Sequence, residues 1–224
     1  MKSRGLFLAF EGTEGAGKTT QVRRLARHLA EGGVPPLVAR EPGSTPLGEQ
    51  VRAWVLDAGA LPSRSELFLL LAARAAFVEQ VVRPALDAGQ IVIADRFELS
   101  TLAYQGAGRG LPLGDIRAAN QLATGGTRPD VTILLELSPE EGARRQAAAG
   151  KLPDRMERES ADFHARVAAG YRSLAGHVDG LVRVDARGTE DAVQARVLEV
   201  LSVRFPETFA MSGVIICNTP PEEP

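Results

Sequence analysis

The chain has 224 residues, of which 26 are basic and 28 acidic, so its formal net charge is -2. A chain of this length buries roughly 70–75% of its unfolded surface, so it needs no metal or disulfide for stability. The hydrophobic fraction of 44% excludes a disordered or fibrous chain, and the balanced charge excludes a polybasic surface for nucleic acid or an acidic membrane.

Five short apolar runs alternate with longer helical patterns from end to end. The predicted strands are Gly5–Phe10, Leu37–Arg40, Gln90–Ala94, Val131–Leu137 and Leu181–Val184. The predicted helices lie near residues 18–30, 46–57, 64–88, 114–123, 139–149, 160–175 and 189–204. Because helices separate the strands, the pattern predicts an α/β fold, a doubly wound five-stranded parallel sheet with helices on both faces. We expect one domain over residues 1–206 and a partly disordered tail of unassigned role over 207–224.

Two of the predicted helices begin with the S-x-x-E pattern of a capping box. Ser63 precedes Glu66, and Ser138 precedes Glu141 with Pro139 at the first helical position. In such a box the serine hydroxyl and the glutamate carboxylate satisfy backbone N–H groups at the start of the helix. Both positions are therefore predicted helix N-termini.

Between the first predicted strand and the first predicted helix, Gly12–Thr19 matches the pattern G-x-x-x-x-G-K-[ST]. Glycines let consecutive backbone N–H groups turn inward around a polyphosphate, and the helix N-terminus adds its dipole. Lys18 is expected to reach the β- and γ-phosphates and the Thr19 hydroxyl to ligate Mg²⁺. The sequence thus predicts a P-loop formed by Gly12, Thr13, Glu14, Gly15, Ala16, Gly17, Lys18, Thr19 and Thr20.

The P-loop by itself leaves open what is done with the nucleotide. A guanine-reading N-K-x-D motif is impossible, because the two asparagines, Asn120 and Asn218, are not followed by lysine. The chain also has no room for the second nucleotide domain of a large ATPase. A small-molecule kinase needs an acceptor site facing the γ-phosphate, so the polar residues near the other strand ends become the candidates.

Charged residues stand where the second and third predicted strands end. Asp95 and Arg96 follow the third strand, at the edge where open α/β sheets bind ligands. Asp95 there can orient the Mg²⁺ shell, and Arg96 offers a planar fork to a phosphate. The segment Arg40–Gly43 ends the second strand at the same edge. The alternative for Asp95 and Arg96 is a surface ion pair at a strand end.

Two helical patterns supply further candidates. Arg74 shares an apolar stripe with Leu67, Leu71 and Phe77, and a charge in such a stripe needs a partner. We interpret that partner as a ligand, with snorkelling to the surface as the alternative. After Arg96, helical spacing places four polar side chains near one face, where they could read base edges or simply meet solvent: Ser100, Thr101, Tyr104 and Gln105. Together these features suggest a nucleoside monophosphate acceptor.

Several stretches together resemble the bacterial thymidylate kinases, P-loop kinases of nucleoside monophosphates. They are Glu11–Thr20, Arg40–Gly43, Asp95-Arg96, Ser100–Gly106, Arg128–Val131 and Asp154–Glu157. The resemblance covers residues 5 to about 200 in order. It implies γ-phosphoryl transfer from ATP with Mg²⁺ to dTMP, a strand order of 2-3-1-4-5 and a homodimer.

The resemblance also assigns roles to single residues. It implies that Glu14 binds the sugar 3′-hydroxyl, that Tyr104 crowds the 2′ position, and that Lys18 and Arg96 act in catalysis. The resemblance also implies that the acceptor phosphate binds to Arg96, Arg40 and Arg52, with Glu41 beside them. It implies that the thymine edge is contacted by Arg74, Gln105, Thr101 and Ser100. Leu70 stands where the family commonly stacks a phenylalanine on thymine, and Phe68 lies on a different helix face.

The predicted P-loop contains no arginine, so the charge on the transferring phosphoryl group must be met from elsewhere. Residues 144–158 carry Arg144, Arg145, Lys151, Arg155 and Arg158 and are broken by Gly150 and Pro153. This pattern predicts a mobile lid that closes over ATP. Arg155 is the first candidate for the catalytic arginine, Lys151 the second, and Arg144 or Arg145 the next.

Two other functions stay open on the sequence. One is a P-loop kinase for a different nucleotide or a small metabolite, and the other is a nucleotide-dependent switch or binding module that hydrolyses slowly. Cys217 is the sole cysteine, which excludes an internal disulfide framework and favours a reducing compartment such as the cytoplasm. No apolar run is long enough for a signal peptide or a membrane span.

Overall fold

The computed structural model describes residues 4–57, 59–150 and 152–209. The strands are β1 (Phe7–Gly12), β2 (Leu37–Arg40), β3 (Val92–Asp95), β4 (Val131–Glu136) and β5 (Leu181–Asp185). They form one sheet in the order β2-β3-β1-β4-β5, and every neighbouring pair runs parallel. This confirms both the predicted parallel sheet and the strand order that the resemblance implies.

Helices connect all the strands. They are α1 (Lys18–Glu31), α2 (Pro46–Asp57), α3 (Ser63–Phe77), α4 (Arg83–Asp87), α5 (Glu98–Thr101), α6 (Leu113–Thr124), α7 (Pro139–Ala148), α8 (Ala161–Leu174), α9 (Glu190–Arg204) and α10 (Pro206–Phe209). A π-helical segment, Val78–Val82, joins α3 to α4, so the predicted helix at 64–88 is one continuous rod. A second π-helical segment, Leu102–Gly108, extends α5. Among the described residues no helix is long and apolar enough to cross a membrane.

The central strand is buried on both faces, as its uninterrupted apolar run predicts. Leu8 and Phe10 pack with residues of α1 and α9 on one face of the sheet. Phe7 and Ala9 pack on the other face, against α3 and the π-helical segment that follows it. All four side chains are fully buried. The sheet thus has a rigid middle, and the turns at its carboxyl edge carry the functional groups.

The serine half of one of the two predicted capping boxes is confirmed, while the Glu141 carboxylate pairs with Arg144 and Arg145. The Ser138 hydroxyl accepts a hydrogen bond from the backbone N–H of Glu141 at 3.2 Å. The box at Ser63 is wrong, because Pro62 caps α3 and no side chain bonds to that end. Glu66 is instead fully buried, facing the interior of the domain. The physical reason is that half-buried arginines from other segments pair with this carboxylate, as described below.

The predicted boundary of the domain also needs a small correction. The helix α10 continues the fold past residue 206, and the Phe209 side chain is buried in the same cluster as Leu201. The beginning of the predicted tail therefore belongs to the core. The rest of that tail, residues 210–224, lies outside the described residues, and Cys217 lies there too.

Candidate active site

The P-loop joins β1 to α1 and folds as its glycines require. Gly15 and Gly17 adopt φ values of 72° and 91°, which side chains rarely tolerate. The Lys18 side chain lies along the loop, where its Nζ donates to the carbonyl oxygens of Gly12 at 3.0 Å and Thr13 at 2.8 Å. Burial, and then the nearby charge of Arg96, lower the pKa of Lys18 to about 8. The negative charge of a polyphosphate in the loop would raise that pKa again.

The two predicted metal ligands meet at the carboxyl edge of the sheet. The Thr19 hydroxyl donates to a carboxylate oxygen of Asp95 at 2.5 Å. One hydroxyl and one carboxylate suit Mg²⁺, which keeps most of its waters and takes its remaining oxygens from nucleotide phosphates. The described residues contain no cluster of three or more metal-binding side chains. The Thr19–Asp95 pair fits a Mg²⁺ ion that takes its other ligands from nucleotide phosphates and water.

Arg96 lies beside the P-loop in a strained backbone conformation. Its φ is 76°, in the left-handed region that disfavours a residue with a Cβ. The guanidinium bonds to Glu14 at 2.5 Å and to the Gly12 carbonyl at 3.2 Å, and it lies 5.1 Å from the centre of the Tyr104 ring. Glu14 raises the pKa of Arg96 despite the burial of the guanidinium. A permanent cation therefore lies beside the P-loop, paired with Glu14.

Glu14 and Tyr104 form the next layer of the crevice. The Tyr104 hydroxyl donates to Glu14 at 2.9 Å. Burial raises the pKa of Tyr104 well above its usual range, so the phenol is neutral. Its ring is held edge-on by Phe163 and Tyr171. A ring locked in this way can exclude an additional substituent on a sugar, and the carboxylate beside it can accept a hydrogen bond from a sugar hydroxyl.

The buried carboxylate of Glu11 holds this region together, a role that sequence reasoning did not assign. One of its oxygens accepts from the backbone N–H of Phe97 at 2.8 Å and of Ser100 at 3.1 Å. The other accepts from the hydroxyls of Ser100 at 2.6 Å and Tyr171 at 3.0 Å. Glu11 thus caps α5 from the neighbouring strand. The available signal was an acidic residue ending an otherwise apolar strand.

Arg74 is buried, as its place in an apolar stripe predicts, but its partners are protein groups. Its Nε and Nη2 lie 2.9 and 2.8 Å from a carboxylate oxygen of Glu41. Its Nη1 donates to Thr101 at 2.8 Å and to Asn120 at 2.5 Å, and Nη2 also donates to the Phe97 carbonyl. The interpretation that a ligand neutralises Arg74 is therefore corrected. A base that reaches Arg74 has to share one of these donors.

One crevice of about 680 Å³ runs from the P-loop to the acceptor side. Its lining includes every residue predicted to bind the acceptor: Glu14, Arg40, Glu41, Arg52, Leu70, Arg74, Arg96, Ser100, Thr101, Tyr104 and Gln105. From the P-loop it includes Glu14, Gly15, Gly17, Lys18, Thr19 and Thr20. Gly12, Thr13 and Ala16 are not on this wall. The Phe68 ring is 64% exposed and lies outside the crevice, so Leu70 is the apolar side chain at that position.

The helix α7, which leads into the predicted lid, lies directly against the P-loop. A Cβ on Gly142 of α7 would meet the Glu14 carbonyl oxygen at 2.2 Å, and one on Gly15 would meet the Gly142 backbone at 2.3 Å. Two glycines thus let helix and loop touch without side chains. One turn further along α7, Arg145 lines the crevice, with a hydrogen bond of 3.0 Å to the Ala186 carbonyl.

The structure does not bring Arg155 to the P-loop. Its guanidinium lies 2.6 Å from Glu66 and 2.5 Å from the Val55 carbonyl, and its backbone N–H bonds to Leu56. The cause is the buried Glu66 carboxylate, which attracts the nearest cations. Lys151, the second candidate, lies outside the described residues. Among the arginines of residues 144–158, the crevice lining contains Arg145 alone.

Glu66 is the second buried acid that sequence reasoning missed. It accepts hydrogen bonds from Gln105 at 2.8 Å, from Arg109 at 3.1 Å and from Arg155 at 2.6 Å. Burial opposes its ionisation, but these three donors outweigh burial and lower the pKa of Glu66. The available signal was its spacing, since Glu66 lies two helical turns before Arg74 on the same inward stripe.

These features define a class of protein. A P-loop with a buried lysine, a hydroxyl–carboxylate pair for Mg²⁺ and a second, arginine-lined half of the same crevice are the parts of a P-loop kinase with a small phosphate-bearing acceptor.

Comparison with known proteins narrows this class. Residues 10–197 match the model of the thymidylate kinase family. The thymidylate kinase of Thermomicrobium roseum is 48% identical over 200 residues, which is 87% of this chain and 95% of that protein. The thymidylate kinase of Deinococcus radiodurans is 45% identical over 90% of this chain and 98% of that one. The chain belongs to the thymidylate kinase family.

A solved structure agrees with the sequence relatives. The crystal structure of thymidylate kinase from Ehrlichia chaffeensis superposes with a TM-score of 0.73 at 30% sequence identity. The match covers 88% of this chain and 99% of the other. The fold is therefore that of a P-loop kinase of the α/β class.

Proposed function

We propose that this protein transfers the γ-phosphoryl group of ATP to the 5′-phosphate of dTMP, giving dTDP and ADP for the synthesis of dTTP. The observation that carries the proposal is the continuous crevice, which has Lys18 and Thr19 at one end and Arg74 and Gln105 at the other. Arg96 lies between the two ends, beside the P-loop. The names of the relatives support the same reaction.

The donor side is assigned to the P-loop. Lys18 would leave the carbonyls of Gly12 and Thr13 to meet the β- and γ-phosphates, where its charge stabilises the transferring group. Thr19 and Asp95 would hold Mg²⁺, which neutralises charge on the phosphates when bound. Because catalysis of this reaction is mostly positioning and charge stabilisation, no protein side chain needs to form a covalent bond.

The acceptor side is assigned to the opposite wall. Arg96, with Arg40 and Arg52 nearby on the lining, would hold the dTMP phosphate in line with the γ-phosphate. Glu14 would accept the 3′-hydroxyl, and the locked Tyr104 ring would exclude a 2′-hydroxyl. Thymine would lie against Leu70, with Thr101, Ser100 and Gln105 along its edge. Leu70 offers dispersion contacts in place of an aromatic stack.

We propose Arg145 as the residue next to the P-loop whose positive charge meets the transferring phosphoryl group. Arg145 already lines the crevice, whereas Arg155 is held by Glu66. Its guanidinium is about a third exposed, and its partners are a backbone carbonyl and, at 3.6 Å, Glu141. Such partners can be exchanged for phosphate oxygens when ATP enters.

We further propose a cytoplasmic homodimer. The exposed Phe68 on α3 and the exposed Leu122 on α6 support an apolar contact between copies. The single cysteine supports a reducing compartment. Sedimentation of the wild type and of Phe68→Asp tests the dimer. A monomeric wild type would contradict it.

A coupled assay of ADP release with a panel of nucleoside monophosphates tests the function. We expect turnover with dTMP to exceed turnover with dUMP, dCMP, dGMP and AMP, and we expect little ADP without an acceptor. A different preferred acceptor would support the alternative kinase. ADP release that does not depend on an acceptor would support the slow hydrolase.

A further inference from the structure

The Glu66 carboxylate touches a residue that lines the acceptor half of the crevice. Its Oε1 accepts from the Gln105 side-chain amide at 2.8 Å, and both side chains are buried. The same carboxylate pairs with Arg109 and Arg155, which hold it in place from two other segments. Glu66 itself is absent from the crevice lining, so it can act there only through its neighbours.

The chemistry of Glu66 decides which end of the Gln105 amide can face it. An ionised carboxylate has acceptors only, whereas an amide presents an NH₂ group on one side and a carbonyl oxygen on the other. The NH₂ group must therefore face Glu66, because a carbonyl oxygen there would meet a second acceptor in a buried setting. The low pKa of Glu66 keeps it ionised at neutral pH. Gln105 lines the crevice, and its amide oxygen Oε1 is the end of the amide that does not face Glu66.

We infer that Glu66 is a specificity-determining positioning residue, which holds the Gln105 amide so that its oxygen faces the N3 position of the acceptor base. The inference rests on the proposed function. Thymine and uracil carry a hydrogen-bond donor at N3, whereas cytosine carries an acceptor there. An amide oxygen held in this orientation accepts from thymine and repels cytosine. Specificity often needs a repulsive contact with the wrong ligand, and here the fixed acceptor provides it.

The test replaces Glu66 by glutamine. The Glu66→Gln side chain can donate as well as accept, so it no longer prevents the Gln105 amide from turning its NH₂ group to the crevice. We expect the ratio of kcat/KM for dTMP to that for dCMP to fall at least ~10-fold, the size of one hydrogen bond. The ratio for dTMP to dUMP should change by less than about 3-fold, because both bases carry the same N3 donor.

Arg109→Gln is the matched control. The substitution removes the ion pair between Arg109 and Glu66, and it also removes the ion pair of Arg109 with Glu159 at 2.7 Å. This variant therefore loosens the cluster too. It leaves the Glu66 carboxylate against Gln105, however, and the dTMP to dCMP ratio should stay within about 3-fold of the wild type. If Arg109→Gln lowers that ratio as much as Glu66→Gln does, general loosening explains the effect and the inference is wrong.

Glutamine NMR on the wild type gives a second readout that needs no stable variant at Glu66. With Gln105 assigned by loss of its signals in Gln105→Leu, its side-chain N–H groups should exchange slowly with solvent. Addition of dTMP should move the side-chain carbonyl carbon more than the amide nitrogen. Rapid N–H exchange, or the reverse pattern of shifts, would overturn the inference.

The failures are distinguishable. A wild type that does not phosphorylate dTMP contradicts the proposed function itself. A wild type that prefers dTMP to dCMP, together with a Glu66→Gln variant of unchanged ratio, contradicts the role of Glu66 alone. A variant in which the dTMP to dUMP ratio falls as much as the dTMP to dCMP ratio also contradicts it, because the pocket has then opened without regard to N3.

Discussion

Arg74 and Glu41 form an ion pair of 2.8 Å in which both side chains are 4% exposed. The pair links α3 to the turn after β2, and so connects two walls of the crevice. Burial raises the pKa of Glu41, and the neighbouring Arg74 partly opposes that rise. The carboxylate therefore depends on this one guanidinium for its charge.

Arg74→Met should lower the free energy of unfolding by about 3–5 kcal/mol at neutral pH, because it leaves a buried charge unpaired. Without Arg74 the pKa of Glu41 rises further, so the native state takes up a proton that the unfolded state does not. Where the native state binds more protons, stability falls as pH rises. The loss should therefore be smaller near pH 5 than near pH 7.5, as measured by urea unfolding. The double variant Arg74→Met/Glu41→Gln should recover part of the loss, and an equal loss at both pH values would contradict this explanation.

ATP affinity should depend on the ionisation of Lys18. The pKa of Lys18 is about 8 in the free protein, and a bound polyphosphate raises it. Affinity for ATP should accordingly be flat below about pH 8 and fall as pH rises above it, because Lys18 must then take up a proton from solvent when ATP binds. Calorimetric titration with ATP between pH 6.5 and 9.5 measures this. Lys18→Arg, which stays charged throughout, should show no such fall, and a fall of the same size there would contradict the assignment.

Substitutions at Arg96 can separate the effect of backbone strain from the function of the side chain. Its φ of 76° costs a non-glycine residue about 1 kcal/mol or more. Arg96→Gly and Arg96→Ala both remove the guanidinium, so both should lose most of kcat/KM for dTMP. The glycine variant should nevertheless be more stable than the alanine variant by about 1 kcal/mol. Chemical unfolding of the two proteins decides it, and equal stabilities would show that the strain is relieved in the alanine variant.

Arg145→Ala should lower kcat by at least ~100-fold with little change in the KM for dTMP, the result expected for a contact made mainly in the transition state. Arg155→Ala should chiefly reduce stability, because it strips a cation from the buried Glu66. Arg144→Ala is the matched control, since that side chain is 75% exposed and pairs with Glu141 on its own helix. A large loss of kcat in Arg155→Ala with Arg145→Ala unaffected would restore Arg155 as the lid arginine.

The sequence by itself determined the parts of this protein that depend on neighbouring residues. The P-loop is a contiguous stretch whose glycines and lysine act where they stand, and the strand ends place Asp95 and Arg96 at the same edge of the sheet. The predicted acceptor residues all line one crevice, because parallel strands bring their carboxyl ends together.

Only the tertiary structure decided which charge pairs with which. Arg74 was recognisable as a buried cation, but its partner Glu41 lies 33 positions away. Glu66 looked like a helix cap because serine stands three residues before it, and Arg155 looked like a free lid cation because a glycine and a proline precede it. In the structure, Glu66 and Arg155 pair with each other, although they are 89 positions apart in the chain. A buried charge takes whichever opposite charge the fold brings within reach, since leaving it unpaired is costly, and sequence spacing carries no record of that distance.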